Sequence, residues 1–542
     1  GIGIGLQAST IAGSIINQNT GSIIGANYGV GLAGSTITND ITNAGLIQGN
    51  SIAGIALVAG SSVGGSIVNQ AGGSITGPAY GVLVSNSTMG GGINNAGLIQ
   101  GNSNAGIALV SRSTVGGSIT NQTGGTILGK TGISLDSTIT LNKGITNSGL
   151  ISGTTAAIIN AGTVTNYTTA IRVASGTILG DISNSGLISS SADYGKGALA
   201  LVSGSSMAGA IVNQASGTIL GTIAGIQLSS STLVGGISNA GLISGHYTGA
   251  LINNASSISG DITNSGLISG NMALIARGGS SIGGSIVNLT TGSITGAVYG
   301  YGTGLSIQAS TLGGGITNLG TISGTNGISI GGTASGGSYI AGNISNAGLI
   351  NGDGYAGISI QASTLGGSIV NSGGTIIGSN TGIKLNNSII ATDITNSGLI
   401  QGNSQGIRSL NSSVGGSIVN ELGGTISSGF SAVAITGSTI SGGITNAGTI
   451  IGTATTGIVA VGSSIAGSVS NSGLVQGGYR GVAFLSNSSL SGSVVNTGTI
   501  IGGHTGVKLN NSIIATDITN SGLIQGTSNA GIALVAGSSL GG

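Results

Sequence analysis

Along this chain an aliphatic residue repeatedly stands two places before an asparagine, with a variable residue between them. Ile15, Ile41, Ile67, Ile93, Ile119 and Ile145 open such triplets, and Asn17, Asn43, Asn69, Asn95, Asn121 and Asn147 close them at intervals of 26 residues. The triplet recurs, with small insertions and deletions, at Asn184, Asn213, Asn239, Asn264, Asn288, Asn318, Asn346, Asn371, Asn396, Asn420, Asn446, Asn471, Asn496 and Asn520. A fixed period of this size marks a repeat architecture and takes precedence over a globular reading. Between triplets, apolar residues alternate with small or polar ones, which is the period of a strand and not of a helix.

Residues 66–91 show one period. Ser66-Ile67-Val68-Asn69 reads as a short strand, Gly73-Ser74-Ile75-Thr76-Gly77 as a second, and Gly81-Val82-Leu83-Val84 as a third. Glycines sit at the corners, where they tolerate backbone conformations closed to other residues. The expectation is an all-β parallel β-helix (β-solenoid) of about 21 coils, with three short strands and about 25–26 residues per coil. Its section would be roughly triangular, and the preference of parallel crossovers makes it right-handed. Twenty-one Ile/Val-x-Asn anchors, Val164-Thr165-Asn166 included, would stack to roughly 100 Å at the interstrand spacing.

The triplet's first residue is never polar and should point inward, and its middle residue should face out. Asn then takes the next inward position, where its amide can bond the backbone of the bend and the Asn of adjacent coils. Such a ladder satisfies groups that a buried turn would leave unpaired. Two turn lengths alternate, as in Asn95-Ala96-Gly97-Leu98-Ile99 and the longer Asn69-Gln70-Ala71-Gly72-Gly73-Ser74-Ile75. Residues 1–542 are expected to form one continuous solenoid, a window of a longer repeat protein, because both ends match mid-repeat segments. Residues 147–184 are the irregular coil region: 37 residues hold one long coil or two short ones through Asn166. Residues 382–402 recur as 506–526 with one difference, a sign of growth by copying a block of coils.

Composition narrows the function. Charged residues make up 4% and aromatics 2%, with no Cys or Trp and a net charge of +1. Aliphatic residues must therefore fill a narrow interior, no disulfide framework or thiolate metal site exists, and no electrostatic footprint for nucleic acid is present. At 39% hydrophobic the chain is too apolar for a disordered Gly/Ser tract. No apolar run is long enough to insert in a membrane as a helix.

The triplet continues into an Asn-x-Gly-x-Ile-x-Gly tail, as in Ile444-Thr445-Asn446-Ala447-Gly448-Thr449-Ile450-Ile451-Gly452 and Ile316-Thr317-Asn318-Leu319-Gly320-Thr321-Ile322-Ser323-Gly324. This pattern, repeated over essentially the whole chain, resembles the passenger repeats of bacterial autotransporters and, more distantly, filamentous-haemagglutinin-like adhesins. The resemblance implies an extracellular rod at a Gram-negative cell surface, serving adhesion, aggregation or a fibre.

Candidate chemistry is sparse. Asp40, Asp181, Asp261, Asp393 and Asp517 share the slot before the triplet, but lie coils apart and read as a solvated face. Asp353 is a lone carboxylate, too little for calcium, and His246 and His504 are 258 residues apart. No catalytic residue, cofactor or metal is expected. Tyr28, Tyr80, Tyr194, Tyr247, Tyr299, Tyr355 and Tyr479 precede the third strand; they are candidates for one edge that contacts sugars or a neighbouring copy. The triplet's outward slot carries Thr nine times and Val six, never a charge, a face suited to lateral packing. The function this predicts is a structural or adhesive extracellular element without catalysis, with further copies of the chain, surface glycans or neighbouring cells as partners. Carbohydrate-binding or carbohydrate-cleaving β-helices and ice-binding solenoids are the alternatives.

Overall fold

The computed structural model describes every residue except 137, 162, 167–168, 192–196, 298–301, 332–336 and 542. The described chain is an all-β parallel β-solenoid of about 21 turns. It divides into two compact units, one of Gly1–Ile262 with Gly266–Ile268, the other of Thr263–Ser265 with Ser269–Gly542.

Each regular coil has four strands, not three. Ile67–Asn69, Ser74–Gly77 and Tyr80–Ser85 are followed by the two-residue strand Thr88–Met89. Two residues give no period to read, so alternation alone leaves this strand inside a corner. The section is accordingly built from two sheets. The Ser74–Gly77 and Tyr80–Ser85 types stack in one, and the Thr88–Met89 and Ile67–Asn69 types stack in the other.

Stacking in exact register sends like residues to like places. In the first unit Ile41, Ile67, Ile93 and Ile119 form one inward column, and Ile47, Ile75, Ile99 and Ile127 face it, all fully buried. Each such side chain contributes roughly 1.5–3 kcal/mol by leaving water. The column is close-packed enough to dictate glycine at its flank: a Cβ on Gly54 would lie 2.7 Å from the Ile75 methyl and 2.8 Å from Gly81 O. In the longer turn of residues 69–75 glycine serves a different purpose, since Gly72 has φ +83°, a left-handed conformation that costs other residues strain.

Residues 147–184 hold one and a half coils. Ile145–Asn147 pairs with Ile171–Ala174, which pairs in turn with the long-type strand Leu199–Val202. The first half of Leu150–Asn160 pairs with Thr177–Leu179, and its second half with the triplet strand Ile182–Asn184. Val164-Thr165-Asn166 is consequently no ladder anchor; it lies against Leu187–Ser190. The extra half coil is tolerated because every strand type offers an aliphatic residue inward: Ile145, Ile171 and Leu199 share one column although they belong to different types. Beyond it, the triplet strands of this unit belong to the opposite sheet.

Candidate functional site

Two side-chain ladders run through the coils. In the first unit Asn17 Nδ2 donates to Asn43 Oδ1 at 2.7 Å, and the series continues through Asn69, Asn95 and Asn121 to Asn147. Asn147 faces Val173 on the next coil, and its Nδ2 donates only to the backbone, at Gly149 O and Thr177 O. Asn160, at the end of the half-coil insertion, starts a new run to Asn184, Asn213 and Asn239. In the second unit the run passes from Asn264 through Asn288, Asn318, Asn346, Asn371, Asn396, Asn420, Asn446, Asn471 and Asn496 to Asn520 at 2.7–2.8 Å. Each amide also reaches backbone carbonyls of the bend, as Asn43 does at Gly45 O and Ser74 O.

The second ladder escapes the sequence reading. Buried serines preceding the two-residue strands accept the backbone N–H of the serine one coil earlier. Ser9 N–H bonds Ser35 Oγ, Ser35 N–H bonds Ser61 Oγ and Ser61 N–H bonds Ser87 Oγ, at 3.1–3.3 Å. The signal was a serine directly before the two-residue strands, Thr140–Leu141 excepted, as in Ser35-Thr36-Ile37 and Ser61-Ser62-Val63, lost among the many surface serines.

The aspartates before the triplets are not simply a solvated face. Asp40 Oδ1 accepts the N–H of Ser66 one coil on at 2.6 Å, Asp181 that of Ala210, and Asp393 that of Ser417. Ser66 and Ser417 repeat the same contact toward Gly92 and Gly443 through their hydroxyls. Where the slot holds Asp or Ser, it can thus supply a short acceptor to the coil that follows.

Among the described residues Asp136 is the carboxylate held away from its ordinary value. Partial burial pushes its pKa up, but hydrogen bonds from Ser111 N–H, Thr138 N–H and the Thr138 hydroxyl outweigh this and hold it below 3.8. A lowered folded pKa means that the unfolded chain binds more protons in acid. The contribution is therefore complete above the ordinary carboxylate value and is lost as pH falls through the lowered one. Hydrogen exchange of peptides spanning residues 105–141 should show protection that weakens on acidification below about pH 4, and D136N should remove that acid-dependent component.

The tyrosines do not share one edge. Tyr28 and Tyr80 open long strands of one sheet, two coils apart with Ala53 between them. Tyr247 precedes Thr248–Asn253, which lies in the other sheet of the same unit because the half coil intervenes. Tyr194 and Tyr299 lie outside the described residues. In the second unit, however, Tyr355 and Tyr479 do lie on one file. Backbone bonds carry it from Tyr355 to Asn380 and Ser404, and from Phe430 through Thr455 and Tyr479 to His504. The pairing of Gln405 with Ser431 sets Phe430 on the coil after Ser404. Phe430 is 55% exposed and Tyr479 41%.

Cations flank this file. Lys384 Nζ donates to the Tyr355 hydroxyl at 2.5 Å and lies 4.5 Å from the ring centre. The Arg480 guanidinium lies 4.5 Å from the Tyr479 ring centre, and the His504 ring centre lies 4.8 Å from that of Tyr479. Lys384 and Arg408 are register partners on adjacent coils, and Lys508 stands beside Ala483 and Ala533. With Arg277 these are all five Lys and Arg residues of the second unit, and all are on long strands of one sheet. Three of the unit's four acids lie elsewhere: Asp393 and Asp517 precede triplet strands of the other sheet, and Glu421 follows one. Asp353, bonded by Asn351 Nδ2, is the exception.

Among the described residues no group of three His, Cys, Asp or Glu gathers to hold a metal, and no helix is long and apolar enough to cross a membrane. What the second unit offers chemically is ring faces and fixed positive charges in parallel files. No protein-family model matches the chain, and no curated protein is detectably similar to it.

Proposed function

We propose that this chain is a structural or adhesive element that acts outside the cell, assembled into fibres or displayed on a bacterial surface. The observation that carries this reading is the pair of side-chain ladders. Asn and Ser columns bond coil to coil over runs as long as Asn264 to Asn520, so each coil is stabilised by its neighbours. Stability built this way is close to additive over coils and suits a body whose task is to extend and present a surface. The neutral, β-branched outer slot of the triplets supports lateral association with further copies. The likeness of the triplet-and-tail motif to autotransporter passenger repeats supports display at a cell surface.

Electron microscopy and fibre diffraction of the protein as isolated from its source test this. Filaments or surface-attached material with a reflection near about 4.8 Å along the coil axis are expected. Chains that stay monodisperse at high concentration and attach to no cell or surface would overturn it. The carbohydrate-binding alternative draws on one observation, the aromatic file of the second unit, and is compatible with adhesion.

A further inference from the structure

We infer that the aromatic and cationic files of the second unit form one binding face for an extended acidic polysaccharide, a ligand assignment that rests on the adhesive reading above. In a chain with only 4% charged residues, collecting every Lys and Arg of a unit on one sheet, with Asp353 its one acid, creates a predominantly positive surface, and such a surface attracts polyanions. None of Lys384, Arg408, Arg480 and Lys508 is ion-paired to a described carboxylate, and Arg480 Nε is shielded from solvent without an acceptor. Their positive charge is therefore available to a ligand.

The spacing points to a polymer. Lys384 and Arg408 are register partners one coil apart, and Lys508 stands on the same file four coils beyond Arg408, while Arg480 stands at the start of its strand, beside the aromatic file. At the interstrand spacing this places Lys508 about 19 Å beyond the Lys384–Arg408 pair. Between them the file carries Ala434, Val459 and Ala483, a low floor over which a chain can lie without obstruction. The rings supply what a bare polyanion would not need. Phe430 and Tyr479 stand on a parallel file, about 10 Å apart, exposed and suited to stacking against the apolar faces of sugar rings. Lys384 and Arg480, held against Tyr355 and Tyr479, set charge beside ring, the pairing that a sugar carrying a carboxylate or sulfate presents in complement. The block duplication fits as well: Lys384 and Lys508 occupy matching positions of the two copied segments, so copying has repeated a binding element along the face.

Binding of the full chain to polygalacturonate, neutral dextran and inorganic polyphosphate tests the inference. Polygalacturonate should bind with an affinity that falls steeply with added salt, and dextran should not bind measurably. The K384Q/R408Q/K508Q variant should lose at least about tenfold in affinity for polygalacturonate, as expected when several charge contacts are removed. F430A/Y479A should weaken polygalacturonate while leaving polyphosphate unchanged. Unaltered β-sheet circular dichroism in both variants separates lost binding from lost fold. Equal binding of dextran, indifference to the triple substitution, or a ring variant that affects both polyanions alike would each overturn the assignment. Filament formation without polygalacturonate binding would remove this inference and leave the structural reading standing; binding by chains that never assemble or adhere would do the reverse.

Discussion

N420L is expected to open the coils on either side of it, although leucine fills a similar volume. Asn420 accepts from Asn396 Nδ2 at 2.8 Å and donates to Asn446 Oδ1, Gly424 O and Thr449 O at 2.8–3.1 Å. Leucine can replace none of these bonds: Asn446 Oδ1 loses its donor, and Asn396 Nδ2 keeps only its backbone acceptors, Gly398 O and Thr425 O. A buried polar group left without its partner costs about 1–3 kcal/mol, and each further lost bond about 0.5–1.5 kcal/mol, so the local loss should reach about 2–5 kcal/mol. Repeat stability is carried between neighbours, which confines the damage. Hydrogen exchange should show lost protection over roughly residues 396–452 and little change several coils away. N403L, at an exposed asparagine nearby, should change stability by no more than about 0.5 kcal/mol. Equal effects from the two substitutions would mean that the ladder contributes nothing to holding coils together.

How much of this fold was legible follows from which features have a period. The Ile-x-Asn triplet repeats at 26 residues, and the alternation on either side of it has the period of a strand, so parallel stacking and the inward Ile columns follow directly. The strand Thr88–Met89 carries no period of its own, and without it the coil was expected to have three strands on three sides rather than four in two sheets. The gap from Asn147 to Asn184 was visible as an anomaly. Its meaning was not, because a half-integral number of coils becomes evident only when Ile171 is seen stacked between Ile145 and Leu199. That half coil is also why grouping tyrosines by their place in the repeat misled in the first unit: the same repeat position faces opposite sheets on its two sides.

The candidate face was hidden for a related reason. Ten Lys and Arg residues in 542 look scattered, and Phe430 escaped notice because attention went to tyrosine and not to the position tyrosine occupies. Register brings Tyr355, Phe430, Tyr479 and His504 onto one line, with the cations beside them. Pairing between coils, not spacing within one, determines which of these side chains meet.

The interior makes an equally sharp prediction at its largest side chain. Phe484 is 1% exposed, and its inward column reads Ile435, Ala460, Phe484, Leu509 over four successive coils. Aliphatic residues of near-uniform size fill such columns elsewhere, as Leu57, Val84 and Leu109 do in the first unit. The phenylalanine therefore fits because its neighbour is small. F484A should destabilise its coils by about 3–5 kcal/mol, the cost of an emptied aromatic site. A460L alone should overpack the same place by about 1–3 kcal/mol. Combining A460L with F484V instead moves bulk from one coil to the next and should recover most of the loss, with a coupling of at least about 1 kcal/mol. Local hydrogen exchange of the peptides carrying residues 456–490 would measure all three. If the effects of A460L and F484V simply add, the two coils do not share that volume, and the stacking of complementary sizes along the column would have to be abandoned as the reason Ala460 is small.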